Sequence, residues 1–206
     1  MRAVRVTPTF VLALAVWIGA FLLITRLGTW APLAVAGPVL AIFVLLRDGD
    51  ARKLLRPRIS LVLLGLAMGT TMTIATYVLF DVFSRMTPQL KPLTTLLYGE
   101  LHAPGFTRLE RGVLIPLVAI AEEVVFRGTV LPNRDVGRRR AVTAVLLNSL
   151  VVGVAHLASG NWLLAVVAAL TAIVWGGMRV WTRSSVPSVV THVMWDLAIL
   201  VFWPLI

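Results

Sequence analysis

The chain has 206 residues, 59% of them hydrophobic and only 14% charged, with a mean hydropathy of +0.92. Soluble domains carry about 25% charged residues, so this composition excludes a disordered chain, a collagen and an ordinary soluble domain, and indicates helices embedded in lipid. The net charge of +10 comes from basic residues in short loops between apolar runs, which is positive-inside patterning and not a nucleic-acid footprint, and the lack of cysteine excludes disulfides, thiol nucleophiles and Cys-ligated metals.

Seven apolar runs follow one another. They cover about 10–24, 30–46, 59–83, 112–127, 141–157, 162–178 and 186–205. The first follows Arg2 and Arg5 and reads as a retained anchor, since no cleavage site precedes a soluble segment. The second contains Pro32 and Pro38. The connection from Ser84 to Arg111 places Leu90, Leu93, Leu97 and Leu101 at helical spacing, which predicts a short amphipathic helix. The expected fold is all-α: a polytopic transmembrane bundle of about seven spans, six to eight being compatible with the pattern. It forms one membrane-embedded domain over 1–206, with N-terminal spans and connection up to 111 and a motif-bearing core over 112–206. Alternate loops hold fourteen and five Lys+Arg, which predicts a multi-pass cell-membrane protein with its N-terminus in the cytoplasm.

An ionisable residue inside a membrane helix costs about 2.5–3.5 kcal/mol on insertion scales, so each one found there is a functional candidate. Three of the nine acids and two of the three histidines fall inside apolar runs. Glu122 and Glu123 lie in IAEEVVFRG with Arg127, His156 in GVAHL, and His192 and Asp196 in THVMWDL. Glu123 and Arg127 stand four apart with the acid first, the favourable order for a helical ion pair. Glu122, rotated about 100° around the helix, is left without a local partner, the condition for base chemistry. His192 and Asp196 share a face. Each group alone is explained as an ion pair or an interhelical clasp; together, on three helices, they are the ingredients of a hydrolytic site. His102, beside Pro104 in the long connection, reads as solvated.

These residues resemble a known family. Glu122 to Arg127 resembles the EExxxR motif of the CPBP intramembrane proteases, the CAAX-protease and bacteriocin-processing (Abi) family. His156 stands where its FxxxH motif would place a histidine, with Val152 at the Phe position, and His192 to Asp196 matches HxxxN/D. The stretch from Arg183 to Ser188 is similar to the turn before that helix. The resemblance runs from about Leu114 to Ile206.

The resemblance implies an intramembrane endopeptidase acting on a membrane-associated protein or peptide. Eukaryotic members remove the last three residues of prenylated CAAX proteins; bacterial members are tied to bacteriocin maturation, self-immunity and peptide signalling. Glu122 would activate water, and His156 and His192 would bind or polarise it, or stabilise the oxyanion with Asp196. A divalent metal such as zinc on His156, His192, Asp196 and Glu122, or a metal-free glutamate mechanism, are both compatible with these residues. Two rival readings are a non-catalytic scaffold or immunity protein of the same fold and a small ion or proton transporter. Counting at about 1.5 Å per residue sets His156 ~22 Å from Ala141, nearer the outer face than Glu122. The hydrolytic reading requires the three groups to converge regardless.

Overall fold

The structure, a computed structural model, describes residues 7–101, 106–133 and 136–206. Arg2, Arg5, His102, Pro104 and Arg134, all used in reading the sequence, lie outside the described residues. Among those described there is no strand; the chain is a succession of helices. They are α1 (Pro8–Leu27), α2 (Ala31–Arg47), α3 (Gly49–Leu54), α4 (Ile59–Met86), α5 (Leu90–Leu101), α6 (Arg108–Glu122), α7 (Arg138–Leu157), α8 (Trp162–Thr182) and α9 (Val186–Asp196). Helices α6 and α9 each continue into a π-helical turn, Glu123–Gly128 and Leu197–Phe202.

All seven apolar runs are helical. Their ends are set by local chemistry more than by hydropathy. Thr107 caps α6 in a reciprocal box with Glu110, so this helix starts at Arg108 and not at Gly112. Asn161 accepts from the Leu163 and Leu164 amides to start α8. Gly28, at φ +62°, closes α1. By length and composition α1, α4, α7 and α8 can each cross a membrane; α2 and the Val186–Phe202 segment are shorter apolar helices. The expected short helix in the long connection is α5, whose Leu97 and Tyr98 are buried with Trp175, Trp195 and Ile199.

Helix α4 is about 42 Å long at 1.5 Å per residue and is the least buried of the four long helices, with 11% of its apolar window inside. Its exposed Leu63, Ile74 and Val78 suit contact with lipid and not with water. What holds it is a close backbone approach. A Cβ on Gly65 would sit 2.6 Å from the Val190 Cβ, and one on Gly69 2.8 Å from the Met194 sulfur, so only glycine lets α4 lie against α9 there. The main core joins α1, α2, the first π-helical turn, α7 and α8 through Trp17, Phe21, Val44, Phe126, Val152 and Ala172.

Candidate active site

Helix α6 and its π-helical turn bring the carboxylates in. Glu123 and Arg127 are wholly buried, and Glu122 nearly so. The turn keeps the Glu123–Arg127 ion pair that the sequence suggests and adds a second partner. Glu122 is not without a partner: Arg127 Nη1 donates to Glu122 Oε1 at 2.9 Å, while Arg127 Nε lies 3.5 Å from Glu123 Oε1 without a hydrogen bond. A π-helix closes i to i+5 instead of i to i+4, so Arg127 reaches the residue five before it. Glu123 turns to another helix, its Oε1 accepting from His192 Nδ1 at 3.0 Å.

Helix α9 supplies His192 and Asp196, one turn apart. His192 Nε2 lies 3.4 Å from Asp196 Oδ2. The ring is fixed from the side by Trp175 of α8, stacked at 3.7 Å with 18° between planes, and Arg127 lies over the same indole at 5.4 Å. Helix α7 supplies His156. Its Nδ1 donates to the Val152 carbonyl at 2.8 Å, and Phe21 packs on the ring. That bond uses the backbone of Val152, so the apolar side chain standing in place of phenylalanine leaves it intact. With Nδ1 donating, Nε2 of a neutral ring is an acceptor, and it faces Glu122 Oε2 across 3.7 Å. Two acceptors at that separation cannot bond to each other, but one water can donate to both.

The three groups therefore converge, although counting along helices sets His156 too far out. A cavity of about 470 Å³ lies against Glu122, His156, His192 and Asp196; Glu123 and Arg127 stand behind its wall. Its other walls are apolar, among them Phe80, Leu164 and Trp195. Pockets that take small ligands run about 300–1,000 Å³.

Two residues at the site escape a reading of the sequence. Trp175 carries no charge and reads as core. Arg179 reads as a loop charge, yet it is wholly buried on α8, donates to Asn133 Oδ1 and interacts electrostatically with Glu123. The signal is there: four residues after Trp175 in an apolar helix, Arg179 obeys the same cost rule that singles out Glu122.

The donor set does not suit a metal as it stands. Among the described residues no three His, Asp or Glu are arranged to hold one. Both nitrogens of His192 face carboxylates, His156 Nδ1 is bound to a carbonyl and Glu122 Oε1 to Arg127. The remaining pair, His156 Nε2 and Glu122 Oε2, falls short of the three protein ligands of a catalytic zinc.

Residues 107–198 match the family model of Rce1-like type II CAAX prenyl endopeptidases. The segment begins at the Thr107 cap and holds Glu122, Glu123, Arg127, His156, His192 and Asp196. It bears out the resemblance carried by the three motifs: this segment is similar to a family of membrane proteases. No curated protein and no solved structure matches the chain.

Proposed function

We propose that the chain is an intramembrane endopeptidase that hydrolyses a peptide bond of a membrane-associated protein or peptide with Glu122 as general base. The observation that supports this most is the facing pair of acceptors at the cavity floor, Glu122 Oε2 and His156 Nε2. A water donating to both is oriented with a lone pair toward the cavity. As its oxygen adds to the scissile carbonyl carbon, one proton passes to Glu122 Oε2. His192, held by Glu123 and flanked by Asp196, donates to the oxyanion. Glu122 then gives the proton to the departing amide nitrogen as the C–N bond breaks, leaving a new carboxyl and a new amino terminus. Arg127 keeps Glu122 Oε1 occupied and so points Oε2 at the water.

Membranes of a null strain carrying the wild-type chain are compared by N-terminomics with membranes carrying Glu122→Gln at matched abundance. Termini present with the wild type and absent with the variant are the expected result. Identical termini, under conditions where the chain has a phenotype, would overturn the reading in favour of a scaffold.

A further inference from the structure

Among the described residues four hydroxyls line the cavity. Those of Thr76, Thr94 and Thr171 each turn back onto a carbonyl one turn earlier in their own helix. Tyr98 of α5 behaves differently. Its hydroxyl leaves the helix and binds main chain twice, donating to the Ile199 carbonyl at 2.8 Å and accepting from the Leu205 amide at 3.2 Å. Tyr98 is buried with Trp175, the ring stacked on His192.

The first of these bonds completes a helix end. The last carbonyls of a helix have no partner within it, and those of Ile199, Val201 and Phe202 are met by Tyr98 and by Arg108 of α6. The second bond has no such purpose. The π-helical turn closes with the Trp203 amide on the Ala198 carbonyl, and beyond it the chain has no regular structure. This short segment is strung between two walls of the cavity. Tyr77 of α4 donates to the Trp203 carbonyl, and Tyr98 of α5 receives the Leu205 amide. Helices α4 and α5 both line the cavity, and so does Leu205. Trp203, Pro204 and Ile206 are exposed, so Leu205 alone of these four is half-buried.

A main-chain amide taken up by a side-chain hydroxyl in an apolar cavity is what a bound peptide requires. A peptide that enters apolar walls must have its N–H and C=O groups bonded. Bonds of this kind hold a peptide whatever its sequence, and its side chains then fill pockets.

We infer that the Tyr98 hydroxyl is a main-chain subsite for the peptide substrate, occupied at rest by residues 203–205 of the chain itself, which the substrate displaces. The inference rests on the endopeptidase reading of Glu122 and adds to it a substrate-positioning residue and an internal competitor.

The chain has no cysteine, so the strap can be followed by itself. Leu205→Cys keeps the amide and is labelled with N-ethylmaleimide in membranes, with Tyr98 intact and with Tyr98→Phe. Loss of one hydrogen bond is worth about five-fold in an equilibrium, and labelling is expected to quicken by about that factor. Leu90→Cys, on the same helix as Tyr98, is the control and is expected to keep its rate. An unchanged rate at Leu205→Cys would overturn the inference, because Tyr98 would not be holding the strap. An equal rise at Leu90→Cys would overturn it too, because α5 as a whole would have loosened.

The second arm uses a substrate found from the Glu122-dependent termini. Leu205→Pro removes the amide donor. KM is expected to fall by up to about five-fold with kcat unchanged, as on release of a competitor. Tyr98→Phe added to Leu205→Pro is expected to raise KM again by a similar factor, since only the substrate is left to miss the hydroxyl. A KM that does not fall with Leu205→Pro, or does not respond to Tyr98→Phe in that background, would overturn the inference and leave the protease standing. A lack of Glu122-dependent termini would remove the endopeptidase reading and the subsite with it, while the label still reports how residues 203–205 are held.

Discussion

The site has a front and a back, and adjacent residues stand on either side of the divide. At the back, Glu123, Arg127 and Arg179 are wholly buried and interact with one another or with His192 and Asn133. At the front, Glu122, His156 and Asp196 border the cavity, and Glu122 Oε2 and His156 Nε2 keep acceptor capacity for a small donor. The difference separates holding from reacting: charges that meet only protein fix geometry, and charges with an atom facing a cavity can take part in chemistry.

The comparison breaks most sharply at Glu122. Glu122→Gln preserves an oxygen for Arg127 but removes the base, and lowers turnover by about 10²–10⁴-fold, the usual worth of general base catalysis. Thermal unfolding in detergent is expected to change little. Arg127→Met attacks the back: it leaves two buried carboxylates without their cation, a change that costs about 3–5 kcal/mol when one member of a buried pair is removed. Unfolding temperature and yield in detergent measure it. If Arg127→Met were as stable as wild type, the back would not be held by charge.

His192→Ala joins the two sides, since the ring meets Glu123 behind and Asp196 in front. Loss of one oxyanion donor is worth about 10²–10³ in turnover, so single-turnover rates with a substrate found by terminal mapping should fall by that much while binding persists. Gly65→Leu tests the frame that carries His192. The new side chain collides with Val190 and Pro187, so α4 must leave α9, and a cross-link between the two helices should be lost. Thr107→Ala has the smallest effect, about 1 kcal/mol for one helix cap, read as earlier amide exchange in the first turn of α6.

Much of this is legible in the sequence because lipid makes charge conspicuous. Apolar runs mark the seven helical segments, and Glu122, Glu123, Arg127, His156, His192 and Asp196 stand out as ionisable groups inside them. Pairing is legible only in part. The Glu123–Arg127 ion pair stands as the spacing suggests, but the π-helical turn also brings Arg127 to Glu122, and no residue in EVVFRG announces that turn. Depth is not legible, because counting residues along α7 says nothing of how that helix is set against α6. Helix α3, six residues long, is too short to show a period, though its cap Asp48 is in plain view. Arg179 is easily misplaced because its position near a helix end makes it look like a loop charge.

The most direct test of the division between front and back is to compare the neighbours side by side. Glu122→Gln and Glu123→Gln, at matched abundance, are scored by N-terminomics against wild type in the same null membranes. Glu122→Gln should lose every chain-dependent terminus, while Glu123→Gln, which disturbs the seat of His192 and the charge pairs with Arg127 and Arg179 behind it but leaves the cavity-facing carboxylate, should keep the same termini at reduced yield. Termini that persist with Glu122→Gln and vanish with Glu123→Gln would contradict the division.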